Sequence, residues 1–200
     1  MSVWKGRIGL FRFGGIDVVI NNASAISLAS STDTSLSQWN LMHEVNVRGS
    51  WLVTKYSIPH LLKSFNPQII FMSPPIDLNP KWFKGHTPYT TSKFGMSMLV
   101  LGLSQEFPQI SVNALWPRTI IQTAALNVVG SELNQHARKP SIMADAVLEI
   151  LKKKGATGNF FIDEQVLKET GVTDFSCYLP PGVIDLAADL FVENQQKSRI

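Results

Sequence analysis

Four short apolar runs, separated by segments with helical periodicity, limit the folds open to this sequence more than any other feature. They lie at residues 17–20, 67–72, 110–116 and 158–163. The first run, Asp17-Val18-Val19-Ile20, is continuous instead of alternating in its apolar residues, which is typical of a strand covered on both faces in a parallel sheet. Strands that alternate with helices predict one α/β domain with a mostly parallel sheet.

Three segments between these runs have the pattern of helices. The first covers residues 35–64, where Pro59 is expected to kink or divide the helix. The second covers residues 88–107, and Thr87-Pro88 before it is a helix-start signal. The third is a compact amphipathic segment at residues 142–151.

Composition excludes several classes of function. A net charge of +3 is too even for a nucleic-acid surface. No apolar run reaches the roughly 20 residues that a membrane-spanning helix needs. The single cysteine, Cys177, excludes an internal disulfide, and the four histidines lack metal-ligand spacing, so we predict no metal site.

The strongest candidate chemistry lies at the start of the second helix, in Tyr89-Thr90-Thr91-Ser92-Lys93. Tyr89 and Lys93 are four residues apart, which places them on one helix face about 6 Å apart at Cβ. A neighbouring positive charge favours the phenolate, so we expect Lys93 to lower the pKa of Tyr89 from its ordinary value of about 10. The alternative is an ordinary buried tyrosine beside a lysine whose ammonium reaches solvent.

Polar residues follow three of the predicted strands. Asn21-Asn22 follows the first, Ser73 the second, and Pro117-Arg118-Thr119 the third. Ligands of open α/β sheets bind beyond the carboxyl ends of the strands, so these side chains are expected around one site.

These residues carry a resemblance to the short-chain dehydrogenase/reductase family, and within it to the hydroxysteroid dehydrogenase-like branch. The matching stretches run from about residue 14 to about residue 175: Asn21-Asn22-Ala23-Ser24, Asn46-Val47-Arg48-Gly49, Ser73-Pro74-Pro75, Tyr89-Thr90-Thr91-Ser92-Lys93 and Trp116-Pro117-Arg118-Thr119. The resemblance implies a Rossmann-like fold with helices on both faces of the sheet. It also implies an oxidoreductase that transfers hydride between NAD or NADP and a hydroxy/oxo lipid-like substrate, fatty-acyl or steroid-like.

The resemblance assigns four catalytic residues. Tyr89 is expected to be the general acid/base, and Ser73 to hydrogen-bond the same substrate oxygen. Lys93 is expected to contact the nicotinamide ribose, and Asn46 to hold a water that links Lys93 to solvent. Two alternatives stay open: Asn46 could cap or kink its helix, and Ser73 could simply end a strand.

The resemblance also implies cofactor contacts by Tyr89, Lys93 and residues of the strand ends. Asn21 is expected against the adenosine half, with Ala23 and Pro117 among the binding residues and Thr119 or Thr123 near the nicotinamide amide. Arg118 stands where the family has glycine.

The loop before the tyrosine is longer than is usual in the family. Tyr89 follows Ser73 by 16 positions, which places Trp82 and Phe83 in an extended loop. We interpret them as a lid for an apolar substrate. The alternative is a hydrophobic flap packed on the surface.

The family's glycine-rich strand–turn–helix, which binds the cofactor pyrophosphate, has no counterpart here. We therefore expect an unstructured leader at 1–13, an N-terminally truncated domain at 14–175 and a tail at 176–200. NAD cannot be told from NADP, and cofactor binding is in question. The strand at 17–20 becomes an apolar edge, which predicts a homo-oligomer or a partner-dependent, aggregation-prone chain. A non-catalytic protein-interaction module is the alternative function.

The last three residues, Ser198-Arg199-Ile200, resemble a C-terminal peroxisomal address. The prediction is a peroxisomal protein. The basic first residues leave a mitochondrial location open, and a cytoplasmic one is the further alternative.

Overall fold

The computed structural model describes residues 12–183 and 185–192. Four parallel strands form one sheet in chain order: β1 (Val18–Asn21), β2 (Gln68–Phe71), β3 (Ser111–Trp116) and β4 (Phe160–Ile162). Each strand lies within two residues of its predicted bounds. The predicted parallel sheet is confirmed. The peroxisomal address and most of the expected leader lie outside the described residues.

Six α-helices connect and cover the strands in the described part of the chain. They are α1 (Leu36–Met42), α2 (Ser50–Leu61), α3 (Thr87–Glu106), α4 (Leu126–Val129), α5 (Ser141–Lys152) and α6 (Asp163–Glu169). Short 3-10 turns occur at Pro80–Trp82, Ser131–His136 and Ser176–Tyr178. None of the helices in residues 12–183 and 185–192 combines the length and apolarity needed to cross a membrane.

The long predicted helix at 35–64 is continuous from Leu36 to Leu61. The irregular turn in it does not lie at Pro59, where the sequence predicted a kink. Pro59 lies inside α2 without dividing it. A π-helical segment, His43–Gly49, joins α1 to α2 instead. Gly49 permits this wider turn, since a Cβ there would lie 3.1 Å from the carbonyl oxygen of Glu44. Such π segments often occur at functional sites, and this one contains Asn46.

Helices cover both faces of the sheet, because successive strand residues point to opposite sides. Ile69 and Val112 pack with residues of α2 and α3. Ile70 and Leu115 pack with residues of α5 and α6. The α/β fold with helices on both faces is therefore confirmed, and the carboxyl ends of the strands meet at one edge.

The strand β1 is at one edge of the described sheet, as the sequence predicted, and β4 is at the other. Val18 and Ile20 on one of its faces are 37% and 44% exposed. An exposed apolar edge strand is a template for pairing with another chain. The self-association expected from it stays a prediction.

Candidate active site

One large cavity lies beyond the carboxyl ends of the strands and collects several of the predicted site residues. Its volume is about 1010 Å³. Tyr89 and Lys93, one turn apart on α3, line it together with Pro117, which follows β3. Thr123 also contributes to its wall. The phenol and the ammonium therefore meet in one cavity at the predicted edge of the sheet.

The ammonium of Lys93 is buried and fully hydrogen-bonded. It donates to the carbonyl oxygen of Met72 at 2.8 Å, to Ser24 Oγ at 3.2 Å and to Met96 Sδ at 3.8 Å. Burial lowers the pKa of Lys93 to about 8, and the negative charge of Asp189 opposes this shift. Lys93 is thus a lysine whose charge changes close to physiological pH.

The pKa of Tyr89 is raised, in the direction opposite to the one the sequence predicted. Burial is the larger cause, and the negative charge of Asp189 adds to it. The Lys93 ammonium is directed at Met72 and Ser24, so its effect on the phenol does not overcome the loss of water. The expectation that Lys93 lowers the pKa of Tyr89 is wrong here. Tyr89 is a protonated phenol at neutral pH.

Asn46 anchors the loop after β1 to the helices. Its Oδ1 accepts from the backbone N–H of Ala25 at 2.7 Å and from Ser24 Oγ at 3.1 Å. Its Nδ2 donates to the carbonyl oxygen of Ala25 at 2.9 Å and to Ser92 Oγ at 3.0 Å. Asn46 is therefore linked to Lys93 through the hydroxyl of Ser24, and its role in holding a water stays a prediction.

Ser73 and Thr119 are buried beside the cavity, and each carries a hydroxyl oxygen with no hydrogen-bond partner among the described residues. Ser73 lies just beyond β2, and Thr119 pairs with Ala188 in an isolated antiparallel bridge. Neither lines the cavity wall. A buried unpaired hydroxyl is uncommon, and a bound ligand is one source of the missing partner.

Besides Thr119, two of the predicted cofactor residues, Asn21 and Ala23, do not line the cavity. Asn21 donates its side-chain N–H to Thr54 Oγ1 on α2 at 3.0 Å, so it holds the helix against the sheet. Ala23 is exposed in the loop after β1. Asn22, the next residue after Asn21, lines the cavity in its place. Arg118 is directed to Glu164, with an N–O distance of 3.9 Å.

The two predicted lid residues, Trp82 and Phe83, pack against other aromatic side chains near the site. The Trp82 ring lies 6.1 Å from that of Phe191, and the Phe83 ring 5.5 Å from that of Phe94. Neither residue lines the cavity. Their role as a substrate lid stays a prediction.

The sequence interpretation missed the segment 187–191, which it placed in a tail. Ile120 N–H donates to Ala187 O at 3.0 Å, and Trp116 Nε1 donates to Leu190 O at 2.7 Å. These bonds bring Asp189 to the cavity wall, where loss of water raises its pKa to about 8 against the opposing effect of Lys93. The signal available in the sequence was a single acidic residue, Asp189, within the apolar run at residues 186–192.

Aromatic packing places the neighbouring Phe191 over the proposed catalytic tyrosine. Its ring lies 6.4 Å from that of Tyr89 and 5.7 Å from that of Trp116. Phe191 adopts a positive φ of 69°, which is unusual for a bulky residue. The segment 187–191 is thus part of the site and not a free tail.

The variant Asp189→Asn is expected to flatten the dependence of stability on pH. A carboxyl with a raised pKa binds more protons when folded, so the free energy of unfolding falls as pH rises from 3.8 to about 8. Thermal melts at the two ends of this window measure the decline. The exposed Asp185, just before the segment 187–191, is the matched control. Equal declines in wild type and Asp189→Asn would contradict the assignment.

Comparison with known proteins identifies the sequences that this chain is similar to. A family model described as short chain dehydrogenase matches residues 10–134. Hydroxysteroid dehydrogenase-like protein 2 of Danio rerio is 49% identical over 192 residues, covering 94% of this chain and 46% of the relative. The protein of that name from Homo sapiens is 49% identical over 186 residues, covering 91% of this chain and 44% of the relative. The chain thus spans about half the length of the curated relatives it matches.

Solved structures agree with the sequence comparison. A crystal structure of a short chain dehydrogenase from Mycobacterium thermoresistibile is 42% identical with a TM-score of 0.84, covering 94% of this chain and 68% of that one. A 4-hydroxyisoleucine dehydrogenase complexed with NADH shares the fold alone, at 18% identity and a TM-score of 0.61 over 78% of this chain and 70% of that one. With the parallel sheet and the tyrosine–lysine pair at its edge, these similarities lead to one conclusion. The chain belongs to the short chain dehydrogenase family.

Proposed function

We propose that this chain is an oxidoreductase that transfers hydride between NAD or NADP and a hydroxy/oxo group on a lipid-like substrate. The observation that carries the proposal is the placement of Tyr89 and Lys93 in the wall of a cavity of about 1010 Å³. That size is at the upper end for a small-molecule site. A phenol that can transfer a proton and an ammonium lie together in the wall of a mostly apolar cavity. This arrangement suits a substrate that carries a carbonyl group on an apolar skeleton.

Tyr89 acts in this proposal as the proton donor. Because burial raises its pKa, the phenol keeps its proton at neutral pH and can give it to a developing alkoxide. In this protonation state the site is ready to act on a carbonyl substrate. Ser73 follows β2 beside the cavity, and its buried, unpaired hydroxyl is proposed to turn toward the substrate oxygen and orient it.

The residues present fit the nicotinamide half of the cofactor. Lys93 can offer the N–H that now points at Met96 Sδ, a weak acceptor 3.8 Å away, to a ribose oxygen. Thr119, buried beside the cavity, carries an unpaired Oγ1 that suits a carboxamide group. When bound, the nicotinamide supplies or accepts the hydride. Residues 12–183 and 185–192 contain no glycine-rich strand–turn–helix for the pyrophosphate. The choice between NAD and NADP stays outside the proposal.

The cavity wall supports an apolar substrate. Its aliphatic part includes Ile120, Ile121, Leu126, Val129, Met143 and Leu148. Burying an aliphatic chain or a steroid-like ring system against these side chains is favourable by about 25 cal/mol per Å² of apolar area. A fatty-acyl or steroid-like skeleton is therefore the proposed substrate class.

A cofactor titration tests the proposal. NADH and NADPH are added to the purified chain, and the cofactor fluorescence and the melting temperature are followed. Saturable binding at micromolar cofactor is expected, together with weaker binding by Lys93→Gln. Lys55→Gln, on the exposed side of α2, is the matched control and should bind as wild type does.

The absence of binding at millimolar cofactor would contradict an oxidoreductase role for this chain unaided. It would leave the non-catalytic interaction module as the better account. The similarity to dehydrogenases over more than nine-tenths of the chain favours the enzyme. The peroxisomal location and the oligomeric state stay proposals of their own.

A further inference from the structure

Ser24 joins two buried polar groups of the site. The Lys93 ammonium donates to Ser24 Oγ at 3.2 Å, and Ser24 Oγ donates to Asn46 Oδ1 at 3.1 Å. Lys93 and Asn46 are buried, whereas Ser24 is exposed and lines the cavity. The serine is thus the point at which this hydrogen-bonded chain reaches the open side of the site.

The side-chain amide of Asn46 has no capacity left for another partner. An amide oxygen accepts two hydrogen bonds and an amide nitrogen donates two. Ala25 N–H and Ser24 occupy the oxygen, and Ala25 O and Ser92 occupy the nitrogen. The side-chain connection from Asn46 to Lys93 therefore passes through the hydroxyl of Ser24.

Lys93 depends on the same hydroxyl. Of the three acceptors around its ammonium, Met72 O is a main-chain atom and Met96 Sδ is a weak acceptor at 3.8 Å. Ser24 Oγ is the side-chain oxygen among them. Asp189 faces Lys93 from the segment 187–191, and Asp163 at the start of α6 acts in turn on Asp189.

We propose that Ser24 is a positioning residue for Lys93: its hydroxyl holds the ammonium at the cavity wall and favours its charged form. Because Asn46 fixes the serine hydroxyl, the lysine is held relative to both the loop after β1 and the π-helical segment. The catalytic consequence of this contact rests on the proposed oxidoreductase function. The contact between Ser24 and Lys93 does not depend on that function.

The variant Ser24→Ala tests the proposal. Removal of an acceptor from the ammonium disfavours the charged form, so the pKa of Lys93 should fall by about one pH unit. The measurement is an NMR titration of the chain labelled with 13Cε-lysine, with the Lys93 signal assigned by Lys93→Met. Ser24→Thr keeps the hydroxyl and should restore the wild-type midpoint.

Ser30→Ala is the matched control in the same loop. Its hydroxyl bonds only with Thr32 and Asp33 at the surface, so the Lys93 midpoint should not move. An unchanged midpoint in Ser24→Ala, or equal shifts in the alanine and threonine variants, would overturn the proposal. In the unmodified chain, nuclear Overhauser contacts between Lys93 Hε and Ser24 Hβ are expected, and their absence would overturn it without any variant.

The titration uses the chain without cofactor or substrate, so its result is independent of the cofactor titration above. Where carbonyl reduction is measurable, Ser24→Ala should also move the alkaline limb of the pH–rate profile to lower pH. That limb reports the loss of charge on Lys93, whose pKa is about 8 in the unmodified chain. A profile that keeps its position would contradict the role of Ser24 in the reaction.

Discussion

Replacement of Tyr89 by phenylalanine is expected to lower kcat for carbonyl reduction roughly 100-fold to 10,000-fold, the range over which a positioned acid accelerates a reaction. The substitution removes one oxygen and keeps the ring, including its packing 6.4 Å from the ring of Phe191. The phenol with its raised pKa is the proposed proton source. Without it, the developing alkoxide must take its proton from water.

The measurement follows oxidation of NADH or NADPH in the presence of long-chain ketones and 3-ketosteroids. Tyr56→Phe is the matched control, because Tyr56 lies on α2 with 66% of its surface exposed. It should retain the wild-type rate. A Tyr89→Phe variant that keeps more than half of the wild-type kcat would show that another group supplies the proton.

The variant Asn46→Ala is expected to lower the free energy of unfolding by about 3 kcal/mol or more. Its amide makes four hydrogen bonds, and their loss leaves the backbone N–H and C=O of Ala25 without these partners. Each such bond contributes about 1 kcal/mol net, and a buried polar group left unpaired costs about 1–3 kcal/mol. The fully buried position admits little water to compensate.

Urea denaturation measures this loss as a lower midpoint at an unchanged slope. Asn40→Ala is the matched control, because Asn40 is exposed on α1 of the same continuous helix. Its effect should stay within about 0.5 kcal/mol. A loss smaller than about 1 kcal/mol in Asn46→Ala would mean that the asparagine is not the anchor of the loop after β1.

The elements and their order were readable from sequence because their causes are local. Short apolar runs predicted the four strands, and Thr87-Pro88 marked the beginning of α3. The four-residue spacing of Tyr89 and Lys93 placed them on one face of that helix, and both line the cavity. The π-helical segment was not predicted, because Pro59 was taken as the point of irregularity and α2 contains it without a break.

The sequence by itself determined the α/β class, the parallel sheet and the edge at which the polar side chains collect. Only the tertiary structure decided the electrostatics of the site. The pKa of Tyr89 depends on burial and on the charge of Asp189. Asp189 is far from Tyr89 in the sequence, and the bridge between Thr119 and Ala188 places it at the cavity. The hydrogen bond between Lys93 and the Ser24 hydroxyl likewise joins two residues that are far apart in the sequence. Spacing along the chain sets which residues share a helix face, but solvent access and long-range contacts set their charge.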